Sequence, residues 1–342
     1  MQQLTIAIDA MGGDFGPQVT VPAAVQALSQ FPELKISIVG DRDEISTQLT
    51  HLNYTPPNSR LFIIHSDSAI GNNTLPSKAL RHSRGSSMRI ALDLVASKDA
   101  EACISAGNTG ALVGLSRFTL KLLPGVERPA LISPLPTKNN QCTWMLDLGA
   151  NVSCDAETLF QFAVMGSELA EQSLGRKAKV ALLNIGEEEI KGNDQIKRCA
   201  EMLYQCQNIE FIGYIEGDKL YQGIADVVVC DGFVGNVCLK TSEGVAHLFL
   251  EQLKSHLITS KFKQILAKWL FGDVISSLKG LNPDQYNGAS LIGLRGIVIK
   301  SHGSADISAF NNAIKEAVHE VKRQIPNRIS DRLEAVLLER HY

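Results

Sequence analysis

The sequence contains several short loops in which glycine stands beside asparagine, aspartate, serine or lysine. Glycine permits positive φ and close backbone approach, so successive N–H groups of such a loop can turn toward an anion. A helix that begins directly after the loop adds the positive end of its dipole. Ordinary turns and caps use the same residues, but the recurrence favours a site for a phosphate-like anion. The loops read DAMGGDFGP at 9–17, SAGNTG at 105–110, DLGAN at 147–151, IGEEEIKGND at 185–194, DGFVGN at 231–236 and SHGS at 301–304.

Two residues of these loops have side chains suited to stabilising negative charge. Lys191 lies between the glutamates 187–189 and Gly192, a poor setting for core packing and a good one for a cation that reaches an oxyanion. Asn236 ends a glycine-rich turn where a helix is expected to begin, so its amide can donate to developing charge. A solvated lysine and an ordinary helix cap remain open as alternatives.

Motifs for nucleotides, metals and covalent acyl chemistry are missing from the sequence. It has no G-x-x-x-x-G-K-[ST], no G-x-G-x-x-G after a predicted strand, no H-E-x-x-H and no G-x-S-x-G. The seven cysteines form no C-x-x-C pair and no nucleophile motif. A covalent acyl-enzyme is therefore not indicated, and direct attack by a bound small nucleophile fits better. The aspartates 9, 14, 147 and 231 could together bind a metal, or they could simply cap helices and fix loops, and both alternatives remain open.

The composition indicates a soluble globular protein. Of its 342 residues 44% are apolar and 20% charged, and the formal net charge is −3. Nucleic acid is not an expected partner, because its binders normally carry a basic excess. No apolar run approaches the roughly 20 residues that span a bilayer. With no secretory signal at the start of the sequence, a cytoplasmic location is expected.

Short apolar runs alternate with stretches long enough for helices, which predicts an α/β fold. A mainly parallel sheet covered by helices on both faces gives three layers, α/β/α. Because ligands of such sheets bind beyond the carboxyl ends of the strands, the glycine-rich loops are expected along one edge. Strands are predicted at 5–8, 35–39, 61–64, 102–104, 143–146, 180–184, 210–212, 227–229 and 296–299. Helices are predicted at 19–30, 74–97, 109–122, 155–174, 193–207, 234–258 and 304–323.

No linker divides the chain, so residues 1–342 are expected to form one domain that carries a helical excursion at 243–280. From residue 254 to the end of the excursion, lysines 254, 261, 263, 268 and 279 are accompanied by a single acid, Asp273. A basic amphipathic helix with a tryptophan can lie on an anionic membrane, or it can pack against the core or a partner subunit. Both interpretations remain open. The apolar stripe of this segment includes Phe262, Ile265, Leu266, Trp269, Leu270 and Leu278.

The order and spacing of seven motifs resemble the PlsX family of phosphate acyltransferases, over about residues 4 to 323. The opening IDAMGGD and the DGFVGN turn are the most specific of these motifs, whereas the region 255–285 corresponds least. The motifs are IDAMGGD at 8–14, SAGNTGA at 105–111, RPA at 128–130, LDLGAN at 146–151, NIG at 184–186 with KGN at 191–193, DGFVGN at 231–236 and SHG at 301–303.

The resemblance implies a homodimer with a fold like that of isocitrate and isopropylmalate dehydrogenases. It implies that acyl carrier protein delivers a long acyl chain as a thioester, that inorganic phosphate accepts it, and that the acyl phosphate feeds a membrane-bound glycerol-3-phosphate acyltransferase in phospholipid synthesis. The family's catalytic lysine and asparagine fall on Lys191 and Asn236, and the resemblance implies no metal and no organic cofactor. Contacts to the substrates are expected from Gly12, Gly13, Asn108, Thr109, Gly110, Asn151, Asn193, Gly235 and His302.

The main alternative is a decarboxylating dehydrogenase of the same fold, which would need NAD and a divalent metal. A nonenzymatic scaffold that binds acyl carrier protein at the membrane is a second alternative. For His302, a structural role stands beside substrate binding.

Overall fold

The computed structural model describes residues 3–54, 60–139, 141–257 and 286–340. Within them one sheet of eleven strands has the order β3-β2-β1-β4-β11-β10-β5-β6-β9-β7-β8. Most neighbouring strands are parallel, and β10 and β5 supply the antiparallel pairings near the centre. The strands are β1 Leu4–Asp9, β2 Leu34–Gly40, β3 Leu61–His65, β4 Ala102–Ser105, β5 Ala130–Pro136, β6 Cys142–Leu146, β7 Lys179–Leu183, β8 Glu210–Ile215, β9 Val227–Val229, β10 Ala289–Ile292 and β11 Ile297–Lys300.

The antiparallel centre divides the sheet into halves that run in opposite directions. One half holds β1 to β4 with β11, and the other holds β6 to β9. The glycine-rich loops therefore do not leave one common edge, and that prediction is wrong as stated. Strand direction reverses three times from β11 through β10 and β5 to β6, and no sequence motif indicates these reversals.

The two halves are displaced along the strands so that their carboxyl ends meet. Pairing runs across one row from Ile299 to Ser290, then to Ile132, Leu146 and Val229. Ile299 is the next-to-last residue of β11, while Leu146 and Val229 are the last residues of β6 and β9. Loops from both halves thus begin at the same level of the sheet.

Apolar side chains cover both faces of the sheet and confirm the predicted three layers. On one face, two clusters join the strands to the helices α1, α2 and α9 and to α6, α7 and α10. On the other, a single cluster with α3, α4 and α5 extends across both halves. The helices are α1 Pro17–Gln30, α2 Arg42–His51, α3 Pro76–His82, α4 Ser87–Ala96, α5 Thr109–Leu120, α6 Ala156–Leu174, α7 Asp194–Gln205, α8 Gly232–Leu257, α9 Ile307–Arg323 and α10 Ile325–Arg340.

The sequence analysis missed two strands and merged two helices. Strand β5 ends in a segment with Pro134 and Pro136, which argues against a strand, and β10 is four residues long. The helix predicted at 74–97 is broken at Gly85, whose φ is +81°. Helices α2 and α10 were not predicted: polar residues dominate α2, whereas Ile325, Ile329 and Leu333 give α10 a helical apolar spacing that could have indicated it.

Of the helical excursion predicted at 243–280, the structure describes residues 243–257, which belong to α8. Phe262, Ile265, Leu266, Trp269, Leu270 and Leu278 lie outside the described residues. In the part of the chain that is described, every helix is too short or too polar to cross a bilayer. The single-domain organisation stays a prediction.

Candidate active site

A cavity of about 730 Å³ lies where the carboxyl ends of the two halves meet, over β5. This central cavity is lined by Thr109, the first residue of α5, by Gly149 from the loop after β6, by Asn236 near the start of α8, and by His302 from the loop after β11. It continues along α8 as far as Phe249. The displaced halves of the sheet therefore bring together loops that the sequence spaces far apart.

The loops of the first half interlock behind the cavity. Asp9, at the end of β1, is buried, and its Oδ2 accepts a 2.6 Å hydrogen bond from the Ser105 hydroxyl. Burial raises the pKa of Asp9, against the opposing effect of the Ser105 hydrogen bond. Gly13 has a φ of +87°, and a Cβ there would lie 2.9 Å from the Gly303 carbonyl oxygen. These residues fix loops 9–17, 105–110 and 301–304 against one another.

Asp147 organises the loop of the second half. It is fully buried, and its Oδ1 accepts hydrogen bonds from the backbone N–H groups of Leu131 at 2.9 Å and Ala150 at 3.0 Å. Its Oδ2 accepts from the backbone and side chain of Asn151, at 2.7 and 2.9 Å. Burial raises the pKa of Asp147, while these donors lower it. The carboxylate therefore holds Gly149 in place at the cavity.

Helix α8 begins pressed against this loop. The Gly232 N–H donates to the Asn151 carbonyl oxygen at 2.8 Å, and a Cβ at Gly235 would overlap the Asp147 carbonyl oxygen. The first turn is capped by Asp231, whose Oδ1 accepts from the Val234 N–H at 2.8 Å. This close approach lays the Asn236 side chain over Gly149, so its amide faces the cavity.

Lys191 lies in the loop after β7, outside the cavity lining. Its Nζ is 2.9 Å from Glu188 Oε2, and 45% of its side chain is exposed. The hydrogen bond and charge of Glu188 raise the pKa of Lys191, so the lysine is cationic at neutral pH. Lys191 and Asn236 follow two neighbouring strands of the sheet, β7 and β9, and of the two only Asn236 lines the cavity.

Three of the asparagines predicted to touch substrate make hydrogen bonds within the protein. Asn108 caps α5 by accepting from the Ala111 N–H at 2.9 Å, and Asn193 caps α7 by accepting from the Ile196 N–H at 3.0 Å. Asn151 donates to the Pro129 carbonyl oxygen at 2.7 Å as well as to Asp147. Their contacts to substrate stay predictions. Glycines 12, 13, 110 and 235 serve as points of close backbone approach in the structure.

The sequence analysis missed two lysines of the central cavity. Lys300 is the last residue of β11, and Lys240 follows Asn236 by one helical turn on α8. Lys240 Nζ lies 2.9 Å from His302 Nε2 and 2.7 Å from Glu243 Oε2. Because an ammonium group only donates, His302 accepts through Nε2. A lysine that ends an apolar strand directly before a glycine-rich loop was the available signal for Lys300.

The remainder of the cavity wall is mainly apolar. Strand β5 contributes leucines and prolines, and α8 contributes apolar side chains together with polar ones at 240–243 and 247. The cavity thus has cations and amides where the loops meet and a mixed, mainly apolar wall beyond them. The apolar lining includes Leu131, Pro134, Leu135, Leu148, Leu239, Val245, Ala246 and Phe249.

Comparisons with known proteins are consistent with this architecture. A phosphotransacetylase structure from Streptococcus pyogenes has a TM-score of 0.62 at 16% identity, with 94% of each chain covered. A 4-hydroxythreonine-4-phosphate dehydrogenase structure from Klebsiella pneumoniae has a TM-score of 0.51 at 15% identity, covering 94% of this chain and 98% of that one. At these identities the likeness concerns the fold alone, and it confirms the predicted dehydrogenase-like fold.

The sequence is also similar to known proteins over its full length. A family model described as a fatty acid synthesis protein matches residues 4–328. The phosphate acyltransferase of Aliivibrio salmonicida is 93% identical over 342 residues, which is 100% of both chains. The chain therefore belongs to the phosphate acyltransferase family, PlsX, that its loop motifs resemble.

Proposed function

We propose that this chain transfers a long acyl group from acyl carrier protein to inorganic phosphate and releases acyl phosphate. The observation that carries the proposal is the central cavity, which joins a polar end suited to phosphate with an apolar wall suited to an acyl chain. Full-length relatives named phosphate acyltransferase support the same activity. The direct test is incubation with acyl carrier protein thioester and phosphate, followed by detection of acyl phosphate by mass spectrometry.

The reaction needs a nucleophile, a carbonyl carbon and a place for charge. A phosphate oxygen attacks the thioester carbonyl carbon, and a tetrahedral oxyanion forms. When it collapses, the C–S bond breaks, and the sulfur leaves with the electron pair and takes up the proton that the attacking hydrogen phosphate carried. Asn236, at the N-terminal end of α8, donates to the oxyanion. Holding both reactants in line supplies several kcal/mol of the barrier reduction through orientation.

Lys191 supplies positive charge from the loop after β7, the strand next to β9. It exchanges Glu188 for an anionic oxygen of the bound substrates, a change that its half-exposed side chain permits. Thr109 and His302, which line the cavity, contact the reactants beside it. The NAD-dependent dehydrogenase alternative is less favoured, because the relatives are named for acyl transfer.

Lys191→Ala is expected to lower the rate of acyl phosphate formation by about 100-fold. Glu188→Gln is expected to keep the rate within about threefold of the parent protein, because the pKa of a lysine without a partner, near ~10.4, still leaves it charged at neutral pH. Steady-state rates of both variants provide the measurement, with Lys177→Ala at an exposed site as the control. A Lys191→Ala protein of normal activity would remove this role.

Assembly and membrane contact form a separate part of the proposal. The chain acts as a homodimer on a peripheral membrane surface, where the unstable acyl phosphate passes to a membrane-bound glycerol-3-phosphate acyltransferase. The apolar stripe at 262–278 and the lysines beside it support this, because apolar side chains flanked by lysines favour binding to anionic bilayers.

Replacing Leu270 and Leu278 with glutamate is expected to reduce co-sedimentation with anionic liposomes by at least about tenfold, because two charges would enter the apolar layer. Activity without liposomes is expected to be unchanged. Analytical ultracentrifugation of the same variant checks its assembly. If the variant dissociates into monomers, the stripe is a subunit interface and the membrane role is wrong.

A further inference from the structure

Lys300 is an unusual lysine because it is almost completely buried. It is 9% exposed, and its side chain forms part of the wall of the central cavity. Its Nζ donates to the carbonyl oxygens of Ala106, at 3.3 Å, and Ser301. Buried lysines normally have a carboxylate partner, since an ammonium group is costly to remove from water.

Among the described residues, no carboxylate lies within ion-pair distance of Lys300. Lys240, which lies across the same cavity, is paired with Glu243. Burial lowers the pKa of Lys300 to about 8, and the charge of Lys240 adds to the effect. Asp9 and Asp14 act in the opposite direction from the loop after β1.

The surroundings of Lys300 suit a small anion. Loops 105–110 and 301–304 pack against Lys300 and contribute carbonyl groups. Loop 9–17 contributes its acids, and α8 contributes Lys240 with its partner Glu243. His302 and Ser304 line the cavity beside it. The ammonium group of Lys300 thus has two carbonyl partners in the protein, and the residue lines the cavity.

We propose that Lys300 is the inner cation of a phosphate site at the polar end of the central cavity, with Lys240 as its outer cation. This inference rests on the proposed function and assigns the acceptor substrate to particular side chains. A dianion that binds in the cavity gives Lys300 a counter-ion, which the described residues of the protein do not provide. Phosphate then lies between the two lysines, next to Asn236, which is placed for the oxyanion of the acyl group.

A pH dependence follows from this arrangement. Protonated Lys300 attracts the anion and neutral Lys300 does not, so affinity is greatest below the pKa of the unliganded lysine. Above about 8, affinity falls about tenfold per pH unit until the pKa of the complex is reached. Bound anion raises the pKa of Lys300, because it favours the charged form.

Titration calorimetry with phosphate and with sulfate tests the proposal between about pH 7 and pH 9. Sulfate keeps its charge over this range, so any loss of its affinity comes from the protein. The parent protein is expected to lose about tenfold in affinity for sulfate, and less for phosphate, because more of the phosphate becomes the dianion as the pH rises. Lys300→Met is expected to bind each anion about 10-fold to 100-fold more weakly and without this pH dependence.

Lys300→Met is expected to fold, because an apolar side chain of similar volume replaces a buried cation. Lys177→Met serves as the matched control and is expected to bind anions as the parent does. Unchanged anion affinity in Lys300→Met, or a flat pH profile in the parent, would overturn the proposal even if the parent makes acyl phosphate. Absence of acyl phosphate with normal Lys300-dependent anion binding would instead refute only the proposed function.

Discussion

Asn236→Ala is expected to lower the rate of acyl phosphate formation by about 100-fold to 1000-fold, the usual effect of losing one oxyanion donor. The side chain lies over Gly149 and lines the central cavity, where the loops of both halves meet. Because the donor acts on charge that develops during the reaction, the loss should affect kcat more than KM. Steady-state kinetics with acyl carrier protein thioester provide the measurement.

Val237→Ala is the matched control for Asn236→Ala. Val237 is the next residue of α8, is half exposed, and does not line the cavity. Its activity should stay close to that of the parent, and the Tm of both variants should be similar. A rate for Asn236→Ala within about threefold of the parent would show that the amide is not an oxyanion donor.

Gly235→Ala is expected to have the largest effect on stability. A Cβ at this position would overlap the Asp147 carbonyl oxygen and lie 2.9 Å from Cys230 Sγ. Because the obstructing oxygen of Asp147 belongs to the backbone, it cannot rotate aside, so α8 would have to move away from loop 147–151, at a cost of about 3 kcal/mol or more. Activity should fall as well, since that movement displaces Asn236. Chemical denaturation and kinetics of the purified variant measure both effects.

Gly244→Ala provides the comparison on the same helix. A Cβ there would meet no atom within 4 Å, so only helix propensity changes. The variant should be as stable as the parent or more stable by about 0.5 to 1 kcal/mol. If the two variants have equal stability, the close approach of α8 to loop 147–151 is wrong.

The glycine-rich loops were predictable because their composition reflects local backbone requirements. Gly13, for example, needs positive φ where two other loops press against it. The meeting of these loops was predicted for the wrong reason, since it depends on three reversals of strand direction around β10 and β5. Strand pairing and strand displacement depend on residues far apart in the sequence, so local patterns do not predict them. Strand β5 was not predicted because Pro134 and Pro136 argue against a strand.

Residue roles were predictable in part. Asn236 was found because a glycine-rich turn before a helix is a local feature, and the structure places it in the cavity. The roles of Asn108 and Asn193 were harder, because the sequence of a helix cap and that of an anion loop are the same. Lys300 was missed because burial without a counter-ion is visible only after the halves of the sheet are assembled.

The central claim is that a bound phosphate ion attacks the thioester directly. It is tested by supplying ¹⁸O-labelled phosphate with acyl carrier protein thioester, and by measuring the masses of the product and of the intact protein. We predict acyl phosphate that retains all the labelled oxygen, and a protein that carries no acyl group when phosphate is omitted. An acyl adduct on the protein in the absence of phosphate, or a failure to form acyl phosphate, would contradict the claim.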